Sequence, residues 1–213
     1  MSSQNPGAIL PQQRAAIMAR GRKLEYLTLA WNGFEAAVAL ASGIVAGSVA
    51  LVGFGLDSII EMASASILLW RLRSDNAALR ERDEQRAHRL AGACLLALAA
   101  YIGIESLRAL WLRSVPERSI PGIAIAVAAV VVMPLLGRAK RRVAQELGSR
   151  ALHSDSRQAD FCAYLSAILL VGLVLNWLWG WWWADAASAL IMVPIIAREG
   201  VQGLRGKGCN DCS

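Results

Sequence analysis

The sequence predicts an all-α fold: a polytopic membrane protein whose core is a bundle of six transmembrane helices. Three observations carry this. Hydrophobic residues make up 56% of the 213, gathered into long runs rather than the alternating or amphipathic segments of a soluble domain. Six such runs, at about 26–46, 48–70, 90–112, 119–137, 158–179 and 181–197, approach the roughly 20 residues that a helix needs to cross a hydrocarbon layer of roughly 30 Å. Of the 22 Lys and Arg residues, 19 fall in the N-terminal segment, the second and fourth connections and the C-terminal segment. That asymmetry places both termini on the cytoplasmic side of the membrane, expected to be a bacterial inner (plasma) membrane. The net charge of +6 therefore orients the chain in a bilayer, and no nucleic acid is expected as a partner.

The runs fill most of the chain, so the expected organisation is one membrane domain, 24–205, between a flexible basic tail, 1–23, and a short Cys-containing tail, 206–213. Residues 1–13, with Pro6 and Pro11, have little to bury. Residues 14–25 are basic and read either as a short helix on the membrane surface or as flanking charge. No short signal pattern precedes the first run, which serves as its own insertion signal. The first run carries Asn32 and Glu35, three apart and on one helix face. Glu35 has three readings here: a proton relay, an outer ligand or the partner of an arginine. A turn rich in small residues (ASGIVAGS) leads into the second run.

That second run, GSVALVGFGLDSIIEMASASILLW, holds Asp57 and Glu61 in its middle. At i and i+4 the two carboxylates share a helix face. An acidic side chain near a bilayer centre costs about 2.5–3.5 kcal/mol on insertion scales, so two on one face need a partner, and a multivalent cation is the simplest. The small residues Gly53, Gly55, Ser58, Ala63, Ser64, Ala65 and Ser66 read as the face on which neighbouring helices pack. Residues 71–89 read as a densely charged loop, with His88 solvated in it.

The third run ends with Glu105 and Arg108 spaced to pair, and the fourth lacks ionisable residues and reads as a scaffold or lipid-facing helix. The fifth begins polar. Asp155, Gln158, Cys162 and Ser166 fall on one stripe, tolerable in a membrane where it lines a water-filled path from the cytoplasm. Gln158 and Cys162 repeat the spacing of Asp57 and Glu61, so two facing helices set four donors around one ion. Trp177, Trp179, Trp181, Trp182 and Trp183 read as an interfacial aromatic belt, and Asp185 as a cap or hydrogen-bond partner at the outer end.

Three segments, GSVALVGFGLDSIIE, DSRQADFCAYLSAILLVG and WADAASALI, make the chain resemble the cation diffusion facilitator family of divalent-metal/proton antiporters, over roughly residues 24–205. The resemblance implies a metal site between helices 2 and 5 whose ligand positions fall on Asp57, Glu61, Gln158 and Cys162. Gln158 and Cys162 stand where the family usually has His and Asp, and Glu61 lengthens an Asp. The chain looks like a short, divergent member lacking the family's C-terminal cytoplasmic domain. Dimerisation is a further expectation of the family.

Two carboxylates, a thiolate and a neutral amide oxygen suit Zn²⁺, Cd²⁺, Co²⁺ or Fe²⁺ better than Mg²⁺ or Ca²⁺. These ligands must shed protons to bind, which couples metal export to proton exchange, with Asp155 as a hand-off group and Asn32 and Glu35 as accessory donors. The ion is cargo, and no cofactor is expected. Cys209 and Cys212, in a CxxC ending, read either as a soft-metal collecting pair or as an inert thiol pair. A membrane sensor or scaffold that uses this pair without transport is the alternative function. No nucleophile with a nearby His and no phosphate-cradling loop is present, so an enzyme is not expected.

Overall fold

The computed structural model describes residues 11–73 and 77–205. Among these residues it contains six α-helices and no strand: α1 Pro11–Ala46, α2 Val49–Arg73, α3 Ala77–Trp111, α4 Ile120–Leu147, α5 Arg150–Trp179 and α6 Ala184–Leu204. The helices outrun the apolar stretches that announce them. α1 is helical from Pro11, so residues 11–23 form no separate tail or surface helix. The expected loop at 71–89 is largely helix, shared between the end of α2 and the start of α3, and α4 runs ten residues past Gly137. A helix continues while its backbone hydrogen bonds continue, whether or not lipid surrounds it.

Five helices contain stretches long and apolar enough to cross a membrane: Ala15–Ala46, Val49–Ile67, Arg89–Trp111, Ile120–Leu147 and Asp155–Trp179. α6, expected as a sixth such span, is the exception. Its 21 residues include Asp185, Arg198 and Glu199, and it completes the bundle by packing on α3 and α5.

The turns follow local chemistry. Gly47, between α1 and α2, has φ 64°, a left-handed conformation that glycine adopts without steric cost. Ser119 caps α4 by accepting from Gly122 N at 3.1 Å, and Ser149 caps α5 by accepting from Leu152 N at 3.4 Å. Trp179, Trp181 and Trp183 crowd the corner between α5 and α6, with the last two rings stacked at 5.2 Å.

α2 is the centre of the bundle, touching α1, α3, α5 and α6, while α4 packs on α5 and α1. Only part of the small-residue face expected on α2 does this packing. A Cβ at Gly53 would meet Ile102 of α3, and one at Gly55 would meet Leu40 of α1; Ser58 and Ala65 are also buried, whereas Ala63 and Ser66 face outward. α3 and α6 pack backbone to backbone at Gly92 and Gly200, where a Cβ on Gly92 would stand 2.6 Å from Gly200 O, close packing that only glycine allows. Leu51, Phe54, Ile102, Met133, Leu169 and Met192 form the apolar core. Large apolar side chains such as Phe34, Ile104, Val131 and Ile191 face outward, while Asn32, Glu35, Asp57, Glu61, Lys140 and Asp185 are buried. Polar groups inside and apolar groups outside is the arrangement a bilayer selects.

Candidate metal centre

The central position of α2 carries Asp57 and Glu61 into the middle of the bundle, where both are buried. α5 brings Cys162, fully buried, to meet them. One ligand atom from each of Asp57, Glu61 and Cys162 lies within 4.8 Å of the other two. Ligand atoms around one tetrahedral ion, with bonds of about 2.0–2.3 Å, stand about 3.3–3.8 Å apart, so side-chain adjustments of about 1 Å or less bring this grouping to the spacing of a single-ion site.

α1 closes a third side. Asn32 donates its amide to Glu61 Oε2 at 3.2 Å, and the Cys162 thiol stands 3.8 Å from Glu35 Oε1. Both Asn32 and Glu35 are buried. Among the described residues, five oxygens here have no hydrogen-bond partner: Asn32 Oδ1, Glu35 Oε2, both oxygens of Asp57, and Glu61 Oε1. Buried carboxylate oxygens are ordinarily satisfied by donors or by a cation. Lys140 is the one Lys or Arg that is fully buried among the described residues, and it is engaged elsewhere.

Lys140, on α4, pairs with Glu25 of α1 at 3.2 Å and with Asp155 of α5. Asp155, expected beside the metal as a hand-off group, is thus held in an ion triad that joins three helices. Gln158, one turn before Cys162, is only half-buried. Cys209 and Cys212 lie outside the described residues. Asp185 accepts from Ser48 Oγ at 2.5 Å and from Val49 N at 2.9 Å, so it caps the start of α2 rather than its own helix. The expected Glu105–Arg108 pair forms at 3.5 Å.

The triad is not apparent from the sequence. Lys140 sits in the basic run GRAKRRVAQELGSR, which reads as a solvated connection once α4 is taken to end at Gly137. The available signal was on α1, where Glu25, Thr28, Asn32 and Glu35 form one stripe, all buried.

Fold and site together define an integral membrane protein with a buried acid–thiol centre. A family model described as the cation efflux transmembrane domain matches residues 87–206, more than half of the chain. The chain belongs to the cation efflux (cation diffusion facilitator) family. It is 28% identical over 153 residues to the uncharacterized transporter sll1263 of Synechocystis sp., covering 68% of this chain and 49% of that protein. It is also 23% identical over 180 residues to transmembrane protein 163 of Xenopus laevis, covering 84% of this chain and 64% of that protein. The chain thus spans about half of the first relative and under two thirds of the second.

Proposed function

We propose that the protein exports a divalent transition-metal cation of the Zn²⁺, Cd²⁺, Co²⁺ or Fe²⁺ kind in exchange for protons, through a site between α2 and α5. The observation that carries this reading is the set of buried carboxylate oxygens on Asp57 and Glu61 that lack any donor, beside the Cys162 thiol. Uncompensated buried charge of this kind costs several kcal/mol per ion, on the order of what an incoming cation returns. Asp57 and Glu61 supply hard oxygens, Cys162 a soft sulfur, and Gln158 a neutral oxygen at the cytoplasmic side of the site. Carboxylates and thiolate bind metal only when deprotonated, so loading releases protons and protonation releases metal. The distribution of basic residues supports cytoplasmic termini in a bacterial inner membrane, and family resemblance supports a homodimer.

The test is metal uptake by the full chain in liposomes under a pH gradient, read with a metal-sensitive dye trapped inside. The expected result is uptake by the parent and loss of most of it in Asp57→Ala. Uptake by Asp57→Ala equal to the parent removes the site from the pathway. Absence of proton-driven uptake by the parent, with metal still bound, favours a sensor or scaffold.

A further inference from the structure

The helix 2–helix 5 arrangement leaves the buried Glu35 unexplained. Glu35 belongs to α1, is fully buried, and has its Oε2 without a partner. Its other oxygen, Oε1, lies 3.8 Å from Cys162 Sγ, about the spacing of two neighbouring ligand atoms on one tetrahedral ion. Glu35 stands just outside the group of Asp57, Glu61 and Cys162 whose ligand atoms all lie within 4.8 Å of one another, so it closes on the ion from the edge of the site. Asn32, one turn earlier on the same face, already holds Glu61 by its amide at 3.2 Å, so this face of α1 is engaged with the residues read as ligands. Gln158, by contrast, is half-buried and carries no charge.

Resting on the function proposed above, we infer that Glu35, in place of Gln158, is a direct ligand of the transported ion, which makes the centre a three-helix set of three carboxylates and one thiolate with Asn32 orienting Glu61. The addition changes selectivity. A third hard oxygen moves the donor set away from the soft extreme, so the site accepts Mn²⁺ and Co²⁺ alongside Cd²⁺. Cys162 and Glu35 then act as opposite determinants: the thiolate favours the softer ion and the α1 carboxylate the harder one. It also draws α1 into the transport site, since an ion bound to Asp57, Cys162 and Glu35 ties together α2, α5 and α1.

The competing account is that Glu35 only accepts a hydrogen bond from the Cys162 thiol. Glu35→Gln separates the two, because the amide keeps an acceptor oxygen and loses the charge. The purified full chain is titrated with Co²⁺, whose sulfur-to-cobalt absorption band reports Cys162 ligation and whose ligand-field bands report the remaining donors; Mn²⁺ and Cd²⁺ are measured by competition. The expected result for Glu35→Gln is Co²⁺ affinity lower by about tenfold or more, a larger loss for Mn²⁺ than for Cd²⁺, and altered ligand-field bands with the sulfur band kept. Affinity within about threefold of the parent and unchanged bands overturn the inference. Glu35→Asp gives a second reading should the amide disturb folding: a shortened ligand reshapes the ligand-field bands, and unchanged bands likewise overturn the inference. If Asp57→Ala binds Co²⁺ as the parent does, the two-helix reading fails, a result distinct from failure of Glu35 alone.

Discussion

The amide of Asn32 on α1 donates to Glu61 Oε2 on α2 at 3.2 Å and leaves Glu61 Oε1 with no donor. One neutral hydrogen bond orients a carboxylate without neutralising it. Beside Glu61 the two Asp57 oxygens have no donor among the described residues, and the buried Lys140 is committed to Glu25 and Asp155. The interior therefore holds carboxyl groups whose ionised form only a bound cation balances, and which otherwise keep a proton.

The first prediction concerns pH. Because the ligands bind metal only after losing protons, equilibrium affinity falls as pH is lowered, by about tenfold per pH unit for each proton released on binding. Metal titration of the detergent-solubilised chain at a series of pH values measures it. A flat dependence shows that no ligand changes protonation on loading.

How far the sequence alone reached this centre differs by helix. Asp57 and Glu61 were legible because two acids at i, i+4 inside an apolar run have no structural excuse, and Cys162 followed from its spacing along α5. Glu35 and Asn32 were legible as polar groups on one face, but their partners depend on how α1 crosses α2 and α5, which periodicity does not encode. Lys140 was hidden for a different reason. A lysine three residues beyond an apolar run looks solvated, and only the continuation of α4 to Leu147 turns it inward. Asp185 was legible as a cap, yet the helix it caps lies 136 residues away along the chain.

Replacing Cys162 by Ser is predicted to weaken Cd²⁺ binding more than Mn²⁺ binding, because a soft donor is exchanged for a hard one. Competitive titration of the two ions against the parent measures the ratio. Equal losses argue that sulfur does not touch the ion.

Lys140→Met leaves Glu25 and Asp155 as buried carboxylates without their shared cation, one fully buried and the other largely so. The predicted cost is about 3–5 kcal/mol, the range for removing one partner of a buried ion pair, read as a lower midpoint in thermal unfolding in detergent. The triple variant Glu25→Gln, Lys140→Met, Asp155→Asn is predicted to recover much of the loss. An unchanged midpoint for Lys140→Met means the triad does not hold α1, α4 and α5 together.

Asp185→Ala removes the acceptor for Ser48 Oγ and Val49 N at the start of α2. The expected loss is about 0.5–2 kcal/mol, typical of a deleted helix cap. Hydrogen exchange at Val49 and Ala50 rises locally if the cap is real, and stays as in the parent if it is not.

The central claim is that one ion sits among Asp57, Glu61 and Cys162, and the location of that ion tests it most directly. A crystal of the full chain grown with Zn²⁺ and measured at the zinc absorption edge gives the ion's position independently of any transport assay. The account predicts an anomalous peak about 2.3 Å from Cys162 Sγ and about 2.0–2.2 Å from a carboxylate oxygen of both Asp57 and Glu61. Zinc bound elsewhere on the chain, with no peak between α2 and α5, would contradict it.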